Sequence, residues 1–599
     1  MRKIIILKFL VVFLILIGVT SCIENKDQKY NINYVSLYGD LTNVVEYYDG
    51  TSDVELPVLY DSKLKFVGWY DNSEYNGEVI SKIAKGETGD KTFYAKWDTV
   101  YVPPGGCFPP NRFNFNGNGM IFGIKVNSLK MSDPFNADYI GENKNLKQAH
   151  QRDIESAYNV KIQYFEWESD AAWGYERIEK IKEDFASGKM EENNIYAIEI
   201  SSLWIPMLAE ASCIAELYNI ETEKGYFDDS AYIQDDIINE VVSVGKKVYG
   251  YNSGVARPDN FIFYNATKLS SMNIDDPAEL WFKGEWTWSD FDSWIKEAQT
   301  KLSDGEFTID ASYADFLIGS SAAQGNRLVN AAKNVPMFSK TSITSVIEKM
   351  QNYYQNGYWN KHRELEFVST DFIEGKSLLH NGSFNLLGQP QYYDQFTSLN
   401  FELGVVPYPV DDNTNVTPYT EPYTYEDTQG NIIEVIEPLK GRNNEVLTTD
   451  DGKSIYGINL NESNFFVSYN DLNCYSILNY SGDRLNGINS LIAFDILYQL
   501  DYNFNFNQVE ESITIDEKYC LSLNDIIPNQ LDKKVVSSVQ GKVYFDPIKS
   551  WSCFTTSGQY DHEDSFWYVI KELVVNNPED FEVLKELSDI YLDKNCPLE

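Results

Sequence analysis

The sequence predicts an α/β protein built from layered sheets and helices, preceded by a small all-β domain. From residue 119 onward, strand-like and helix-like segments alternate, which is typical of mainly parallel sheets with helices on their faces. Residues 30–98 instead hold short segments rich in Tyr, Ile and Val, which indicate strands. Residues 99–118 are rich in Pro and Gly, a composition typical of a linker between domains.

The first residues indicate export and lipid anchoring. Basic residues precede an apolar run at 9–19, whose length suits a signal peptide and is too short to cross a bilayer. Small residues stand directly before Cys22, and this pattern resembles the processing site of bacterial lipoproteins. The resemblance implies a signal peptide at 1–21, lipid attachment to Cys22 and a lipid-anchored spacer at 22–29. The expected location is the extracellular face of the cell membrane.

Charge and cysteine usage exclude several other classes of protein. The formal net charge of −41 disfavours nucleic-acid binding and electrostatic docking to anionic lipid, because both depend on clustered Lys and Arg. None of the seven cysteines forms a C-x-x-C pair, so zinc and thioredoxin chemistry have no support. We expect most of the cysteines to be buried free thiols. One or two disulfide bonds among them are the open alternative. No metal and no cofactor are expected.

Residues 30–98 resemble the small β-grasp repeat of internalin-type bacterial surface proteins. The resemblance rests on the segments FVGWY at 66–70 and YAKW at 94–97, which occur in the expected order. It implies that Trp69 and Trp97 belong to the core of this domain. It also implies a spacer or contact domain at the cell surface without chemistry of its own.

The alternation that follows the linker places ligand-binding residues at strand ends. Parallel α/β sheets bind ligands at the carboxyl ends of their strands, where loops lead into helices. The periodicity predicts strands at 121–129, 160–167 and 195–200, and helices at 145–159 and 175–189.

Four segments carry a set of motifs in a fixed order: 160–219, 245–302, 372–386 and 401–409, whereas 410–460 has the composition of an insertion. The motif residues are Tyr249-Gly250, Tyr264-Asn265, Thr287-Trp288, Gly375-Lys376, Gly382, Phe384, Gly404, Pro407 and Pro409. In this order they resemble the extracellular solute-binding lipoproteins of ABC importers, specifically the large sugar-binding group.

This resemblance implies a two-lobed fold over residues 119–599, of the type II periplasmic-binding-protein kind with a hinge. Phe261–Tyr264 and Leu403–Val406 are the hinge candidates. The implied function is capture of a carbohydrate, an oligosaccharide above all, by cleft closure, followed by delivery to a membrane permease.

The resemblance and the predicted strand ends together indicate the candidate ligand residues. Sugars offer hydroxyl groups and apolar ring faces, which bind aromatic surfaces and a few placed polar groups. Phe384 stands where the family has an aromatic residue that stacks on sugar, and each aromatic candidate has core packing as its alternative. The candidates are Ser201, Ser202, Trp204, Asp315, Phe316, Gln324, Phe384, Trp167 and Trp551.

The sequence does not support an enzyme. The four histidines form no metal-hydrolase spacing, and no G-x-S-x-G nucleophile motif occurs. The sequence leaves open whether two of its carboxylates are placed as in a glycosidase, because it does not show the distance between them. The alternatives to a sugar binder are a surface adhesion or structural lipoprotein and a binder of another nutrient, such as a peptide.

The segment GEWTWSDFDSW at 284–294 carries three tryptophans and could be mistaken for a sugar platform. Thr287 and Asp290 have the spacing of a helix N-cap with a capping box. Trp288 and Trp294 then fall on the apolar stripe of an amphipathic helix. We therefore expect both in the core, whereas Trp286 could face either way.

Overall fold

The computed structural model describes residues 29–99, 117–219, 236–479, 525–548 and 566–589, apart from gaps of six residues or fewer within these ranges. The chain separates into two compact units, one within residues 1–117 that also takes in 152–160, and one formed by residues 118–151 and 161–599. Each unit is described by itself.

The first unit is an all-β domain with an aromatic core. Its four-stranded sheet has the order β2-β1-β6-β4, in which β1 and β6 are parallel and β4 is antiparallel to β6. Trp69 is buried and donates from Nε1 to the Pro57 carbonyl at 2.6 Å, whereas Trp97 is half-buried against Phe66. The strands are β1 (Tyr30–Val35), β2 (Tyr47–Tyr48), β3 (Val54–Glu55), β4 (Leu64–Tyr70), β5 (Lys82–Ile83) and β6 (Lys91–Thr99).

Gly68 is required at the irregularity in β4. The register of β4 against β6 shifts between Phe66 and Gly68, as in a β-bulge. Gly68 has a φ of +148°, and a Cβ built there would lie 2.3 Å from Cγ1 of Val79. A larger residue would therefore clash as well as strain the backbone.

The second unit contains two separate four-stranded sheets with helices. Its strands are β7 (Gly119–Ile124), β8 (Lys161–Glu166), β9 (Ile195–Ser201), β10 (Tyr218–Asn219), β11 (Ser243–Val244), β12 (Lys247–Val248), β13 (Asn260–Asn265), β14 (Phe307–Ile309), β15 (Val329–Asn330), β16 (Val335–Pro336), β17 (Ser377–Ser383), β18 (Leu403–Val406), β19 (Thr417–Tyr419), β20 (Tyr423–Glu426), β21 (Ile432–Val435), β22 (Gly457–Asn459), β23 (Val467–Tyr469), β24 (Asn473–Ile477) and β25 (Val543–Phe545).

The helices from residue 118 onward alternate with these strands. They are α1 (Leu129–Ser132), α2 (Lys144–Tyr158), α3 (Tyr175–Ser187), α4 (Ile205–Glu210), α5 (Asp236–Val241), α6 (Ala266–Ser271), α7 (Pro277–Lys283), α8 (Trp288–Lys301), α9 (Tyr313–Ala323), α10 (Thr341–Gln355), α11 (Thr370–Ile373), α12 (Phe384–Leu387), α13 (Pro390–Thr397), α14 (Gln530–Ser538) and α15 (Phe566–Asn576), with 3₁₀ turns at Ser169–Ala171 and Ser202–Trp204.

The first sheet, in the order β24-β9-β7-β8, is mainly parallel as predicted. β7 runs parallel to β8 and β9, and β24 is antiparallel to β9. The predicted strand at 121–129 is too long at its end, because β7 stops at Ile124 and Asn127 has a φ of +63°. That left-handed conformation is incompatible with a continuing strand.

The second sheet, in the order β14-β17-β13-β18, is mixed rather than mainly parallel. β14 and β17 are parallel, but β13 is antiparallel to both β17 and β18. Every residue of β13 is buried, as expected of a central strand covered on both faces.

Of the two hinge candidates from sequence, Leu403–Val406 was wrong, whereas the segment near Phe261–Tyr264 begins directly after a point where the chain crosses between the sheets. Phe261–Tyr264 and Leu403–Val406 lie in β13 and β18, two hydrogen-bonded neighbours inside the second sheet. The chain instead passes from the first sheet to the second between Tyr251 and Asn260, which we call the first crossing. It returns between Tyr469 and Asn473, the second crossing.

The tryptophans of the segment 284–294 lie in the core around the second sheet, as predicted for Trp288 and Trp294. We call the part of the chain around the second sheet the second lobe, and the part around the first sheet the first lobe. Thr287 caps α8, and the reciprocal bonds of a capping box with Asp290 are both present. Trp288 and Trp294 are buried in the core cluster around the second sheet. Trp286 is buried as well, and its Nε1 donates to the Pro407 carbonyl at 2.9 Å.

A half-buried arginine of the predicted insertion at 410–460 ties this segment to the second lobe. Arg442 donates from Nε to Asp276 at 2.6 Å, from Nη1 to Glu402 at 2.6 Å, and from Nη2 to the Tyr264 hydroxyl at 2.6 Å. Its two terminal nitrogens also bind the two carboxylate oxygens of Asp532 at 3.0 and 2.9 Å. Burial raises the pKa of Asp532 to about 6, although Arg442 opposes that rise.

Replacing Thr287 with Ala should remove the cap of α8. We expect a loss of about 1 kcal/mol in the free energy of unfolding, because the amide of Asp290 loses its acceptor. Urea unfolding measures this loss. Thr300→Ala, at an exposed position in the last turn of α8, is the control and should change stability by less than about 0.5 kcal/mol.

Replacing Arg442 with Met should cost about 3–5 kcal/mol, because it leaves the fully buried Asp532 without its counter-ion. Burial favours the protonated acid, so the folded pKa of Asp532 lies above its unfolded value. Its contribution to stability is therefore present at low pH and lost as the pH rises. The deficit should shrink between pH 8 and pH 5, and a pH-independent deficit would contradict this account. Lys440→Met is the exposed control.

Candidate functional site

The first sheet ends in a row of polar and aromatic residues. Because β7, β8 and β9 are parallel, their carboxyl ends lie on one side of the sheet, which we call the first edge. Lys125 follows β7, Trp167 follows β8, and the 3₁₀ turn Ser202–Trp204 follows β9. The predicted residues Ser201, Ser202, Trp204 and Trp167 therefore share this edge.

Three indoles and two cations form a cluster at the first edge. The Trp173 and Trp204 rings lie 4.5 Å apart between centroids, and Lys125 Nζ lies 4.3 Å from the Trp173 centroid. The Arg177 guanidinium lies 4.6 Å from the centroid of Trp167 and 5.6 Å from that of Trp173. These distances are within the range of cation–π attraction. We call these five residues the indole cluster.

Arg177 is the buried member of the indole cluster and connects it to the backbone of the first sheet. Its side chain is fully buried, and Nε donates to the Ala171 carbonyl at 2.6 Å while Nη1 donates to the Glu199 carbonyl at 3.3 Å. Burial lowers the pKa of Arg177 to about 10, so the guanidinium stays charged at neutral pH. Trp167 and Trp204 are buried against this frame, whereas Trp173 is half-exposed and presents aromatic surface to solvent.

The two serines of the first edge shape the turn that carries Trp204. Ser201 Oγ accepts from the Leu203 amide at 3.2 Å and so caps the 3₁₀ turn. Ser202 is fully buried, its amide donates to the Leu472 carbonyl at 2.8 Å, and its Oγ accepts from the Leu472 amide at 3.1 Å. In this conformation Ser202 faces the second crossing.

The second sheet has a polar edge of its own, where Asn260 of β13 pairs with Ser383 of β17. Ser383 Oγ donates to Asp259 Oδ1 at 2.6 Å. The Tyr408 hydroxyl donates to Asn260 Oδ1 at 3.1 Å and accepts from Asn381 Nδ2 at 2.9 Å. These residues are buried and hydrogen-bonded, so the second edge is a preorganised polar surface.

The aromatic candidates of the second lobe lie in its core. Phe384 begins α12 next to the second edge, but its side chain is buried 5.7 Å from Phe261. Phe316 is buried against Trp359, with 5.0 Å between ring centroids. Core packing, the alternative stated for the aromatic candidates, thus describes both side chains in this structure.

The polar candidates Asp315 and Gln324 are separated by the length of a helix. Asp315 lies in the first turn of α9, and its carbonyl accepts from Asn260 Nδ2 at 3.1 Å, so it belongs to the second edge. Gln324 is the C-cap of the same helix, and its Nε2 donates to the Ser320 carbonyl at 3.2 Å. The two residues are nine positions apart along the helix, which corresponds to a rise of about 13.5 Å. One small solute would not contact both.

Sequence reasoning missed Trp173 and Arg177. Both follow β8 in the loop and helix start that also hold Trp167, so proximity to a predicted strand end was the available signal. Nothing local distinguished Trp173 from a core residue, because its partner Trp204 comes from the next strand. The candidates Trp551 and Cys22 lie outside the described residues.

Other chemistry is not evident in the described part of the chain. No group of three or more His, Cys, Asp or Glu side chains there is arranged to hold a metal ion. The described cysteines, Cys213 and Cys474, are buried free thiols. Within the described ranges, every helix is too short or too polar to span a lipid bilayer.

The chain is similar to solved structures of sugar-binding proteins. These include the cyclic alpha-maltosyl-1,6-maltose binding protein of Arthrobacter globiformis (10% identity, TM-score 0.47), the sugar-binding protein MalE of Xanthomonas citri (12%, 0.43) and the maltose-binding periplasmic protein MalE of Listeria monocytogenes, solved with maltose (14%, 0.42). Each comparison covers 80% of this chain and 97–98% of the other.

No family model matches the sequence, and no curated protein matches it either.

Proposed function

We propose that this chain is the solute-binding component of an ABC importer, which captures a carbohydrate, an oligosaccharide above all, between two lobes. The observation that carries the proposal is the position of the two crossings. The first crossing leads from the first edge at Asn252 to the polar edge of the second sheet at Asn260. The second crossing leads from the end of β23, which pairs with β25, back to the first edge at Asn473. Among the described residues, both connections between the lobes therefore adjoin the first edge, and the first crossing also adjoins the second edge.

The residues at the ends of the crossings support this arrangement. The first crossing leaves the first lobe at Asn252, whose Nδ2 donates to the Asn473 carbonyl at 2.8 Å, and it enters the second edge at Asn260. The second crossing reaches the first sheet at Asn473, which pairs with Ser201 at the end of β9. A solute that binds both edges would favour the closed arrangement of the lobes, because it gains contacts only there.

The chemistry of the edges favours a sugar. The first edge supplies an aromatic surface in Trp173 with an adjacent ammonium group, which suits an apolar ring face bearing hydroxyls. The second edge supplies carboxylate, amide and hydroxyl groups around Asn260 and Asp315, which suit the hydroxyls themselves. We propose Trp173, Ser201, Trp204 and Asp315 as the nearest ligand residues, with Phe384 and Trp167 behind them.

The remaining parts of the chain fit delivery to a membrane. A lipid on Cys22 would hold the protein at the extracellular face of the membrane, and the domain at 30–98, proposed to be a β-grasp repeat, would separate the lobes from the anchor. A membrane permease would recognise the closed form. We propose binding without turnover.

A thermal-shift screen of residues 22–599 against oligosaccharides tests the function. The panel should contain malto-, xylo- and manno-oligosaccharides, with a peptide mixture as the comparison. We expect a rise in the melting midpoint and a change in tryptophan fluorescence with at least one sugar, and no released product. A shift with peptides alone would indicate another nutrient, binding to polymers or host protein alone would indicate an adhesin, and product formation would indicate a glycosidase.

Replacing Trp173 with Ala should weaken sugar binding at least tenfold, equivalent to about 1.4 kcal/mol, because the half-exposed stacking surface of the first edge is lost. Isothermal titration with the best sugar of the panel measures the change. Tyr425→Ala removes an exposed aromatic ring of β20, a strand that belongs to neither four-stranded sheet, and should leave affinity unchanged. If Trp173→Ala and Tyr425→Ala changed sugar affinity to the same extent, the binding surface would not be at the first edge.

A further inference from the structure

We propose that Ser202 is a positioning residue that couples the indole cluster to the second crossing, so that a disturbance at the first edge moves the connection between the lobes. Its relevance to solute capture rests on the proposed function. The coupling itself is a property of the unliganded protein and can be tested without a sugar.

The hydroxyl of Ser202 extends the β9–β24 ladder by one residue into the crossing. The regular register ends at the pair Ser201 and Asn473. The Ser202 carbonyl is already used inside the first lobe, where it accepts from the amide of Ile205. Ser202 Oγ therefore accepts from the Leu472 amide in place of that carbonyl, while the Ser202 amide donates to the Leu472 carbonyl.

The two hydrogen bonds between Ser202 and Leu472 are buried, so no water can take the place of either partner. Ser202 is 0% exposed and Leu472 is 8% exposed. Removal of the hydroxyl would leave the Leu472 amide without its acceptor in a buried place, which is unfavourable. The amide and the hydroxyl of Ser202 thus hold the second crossing at Leu472, and the hydroxyl is the part that a substitution can remove.

The same turn carries the aromatic surface of the first edge. Ser201 caps the turn through the Leu203 amide, and Trp204 at its end packs against Trp173. A continuous path of contacts therefore leads from the half-exposed Trp173 through Trp204 and Ser202 to Leu472. A solute that binds against Trp173 and shifts its ring would therefore change the position of the second crossing through these contacts.

Ser476 offers a matched control in the neighbouring strand. It is also 0% exposed, and its Oγ donates to the Tyr249 carbonyl at 2.7 Å. Ser476→Ala therefore removes a buried hydroxyl and one hydrogen bond from the same sheet, without touching the path from Trp173 to Leu472.

The test is a double-mutant cycle read by hydrogen exchange of the Leu472 amide in the full mature chain. Ser202→Ala should speed this exchange at least tenfold, whereas Ser476→Ala should change it less than twofold. Trp173→Ala should also speed exchange at Leu472 in the wild type and in Ser476→Ala. In Ser202→Ala, the further substitution Trp173→Ala should have no additional effect.

Additive effects of Ser202→Ala and Trp173→Ala would overturn the coupling, since a merely structural serine predicts additivity. Ser202→Cys, which keeps the volume but offers a weak acceptor, serves if Ser202→Ala does not fold, and it should give the same non-additive result. If no oligosaccharide bound, the proposed function would be rejected. The exchange result at Leu472 would still stand, because it is measured on the unliganded protein.

Discussion

The link between the two lobes depends on the pairing of β24 with β9 in the first sheet. This antiparallel ladder joins Asn473–Ile477 to residues that precede them by more than 270 positions in the chain. It completes the first sheet, and it fixes where the chain re-enters the first lobe. The isolated bridge between Tyr251 and Tyr475 then holds the start of the first crossing beside the end of the second. Within the described ranges, the two connections between the lobes are therefore gathered at the first edge.

The second lobe is organised around a different constraint, which is the burial of charge. Arg442 brings together carboxylates from α7, from the loop before β18 and from α14, and it is itself supplied by the segment at 410–460. Such a buried network stabilises only when each member keeps its partner. The segment that looks like an insertion in the sequence is therefore an integral part of this lobe, since its arginine neutralises charges that the rest of the lobe buries.

Local patterns predicted the elements of this protein well. The helices at 145–159 and 175–189 and the strands at 160–167 and 195–200 lie within two residues of α2, α3, β8 and β9. Thr287 and Asp290 marked the start of α8, and the stripe that follows marked a buried face. These features depend on neighbouring residues, through capping and periodicity, so sequence reasoning reaches them. The mixed order of the second sheet depends on the direction of pairing between distant strands, which no local pattern encodes.

The candidate site was predicted in part. Four of the candidates share the first edge because each lies at the end of a parallel strand or directly after it, and that rule can be applied to sequence alone. They are Trp167, Ser201, Ser202 and Trp204. The exposure of each side chain could not be inferred in the same way. Phe384 and Phe316 occupy suitable positions along the chain, but their rings pack into the core.

By itself, the sequence determined the alternation of strands and helices, the capped tryptophan helix and the strand ends where binding residues lie. Tertiary structure alone decided which strand ends meet, which aromatic ring stays half-exposed and where the chain crosses between the lobes. The physical reason is that these properties arise from contacts between segments far apart in the chain. Trp173 beside Trp204, Ser202 beside Leu472 and Arg442 beside Asp532 each pair residues that no local pattern connects.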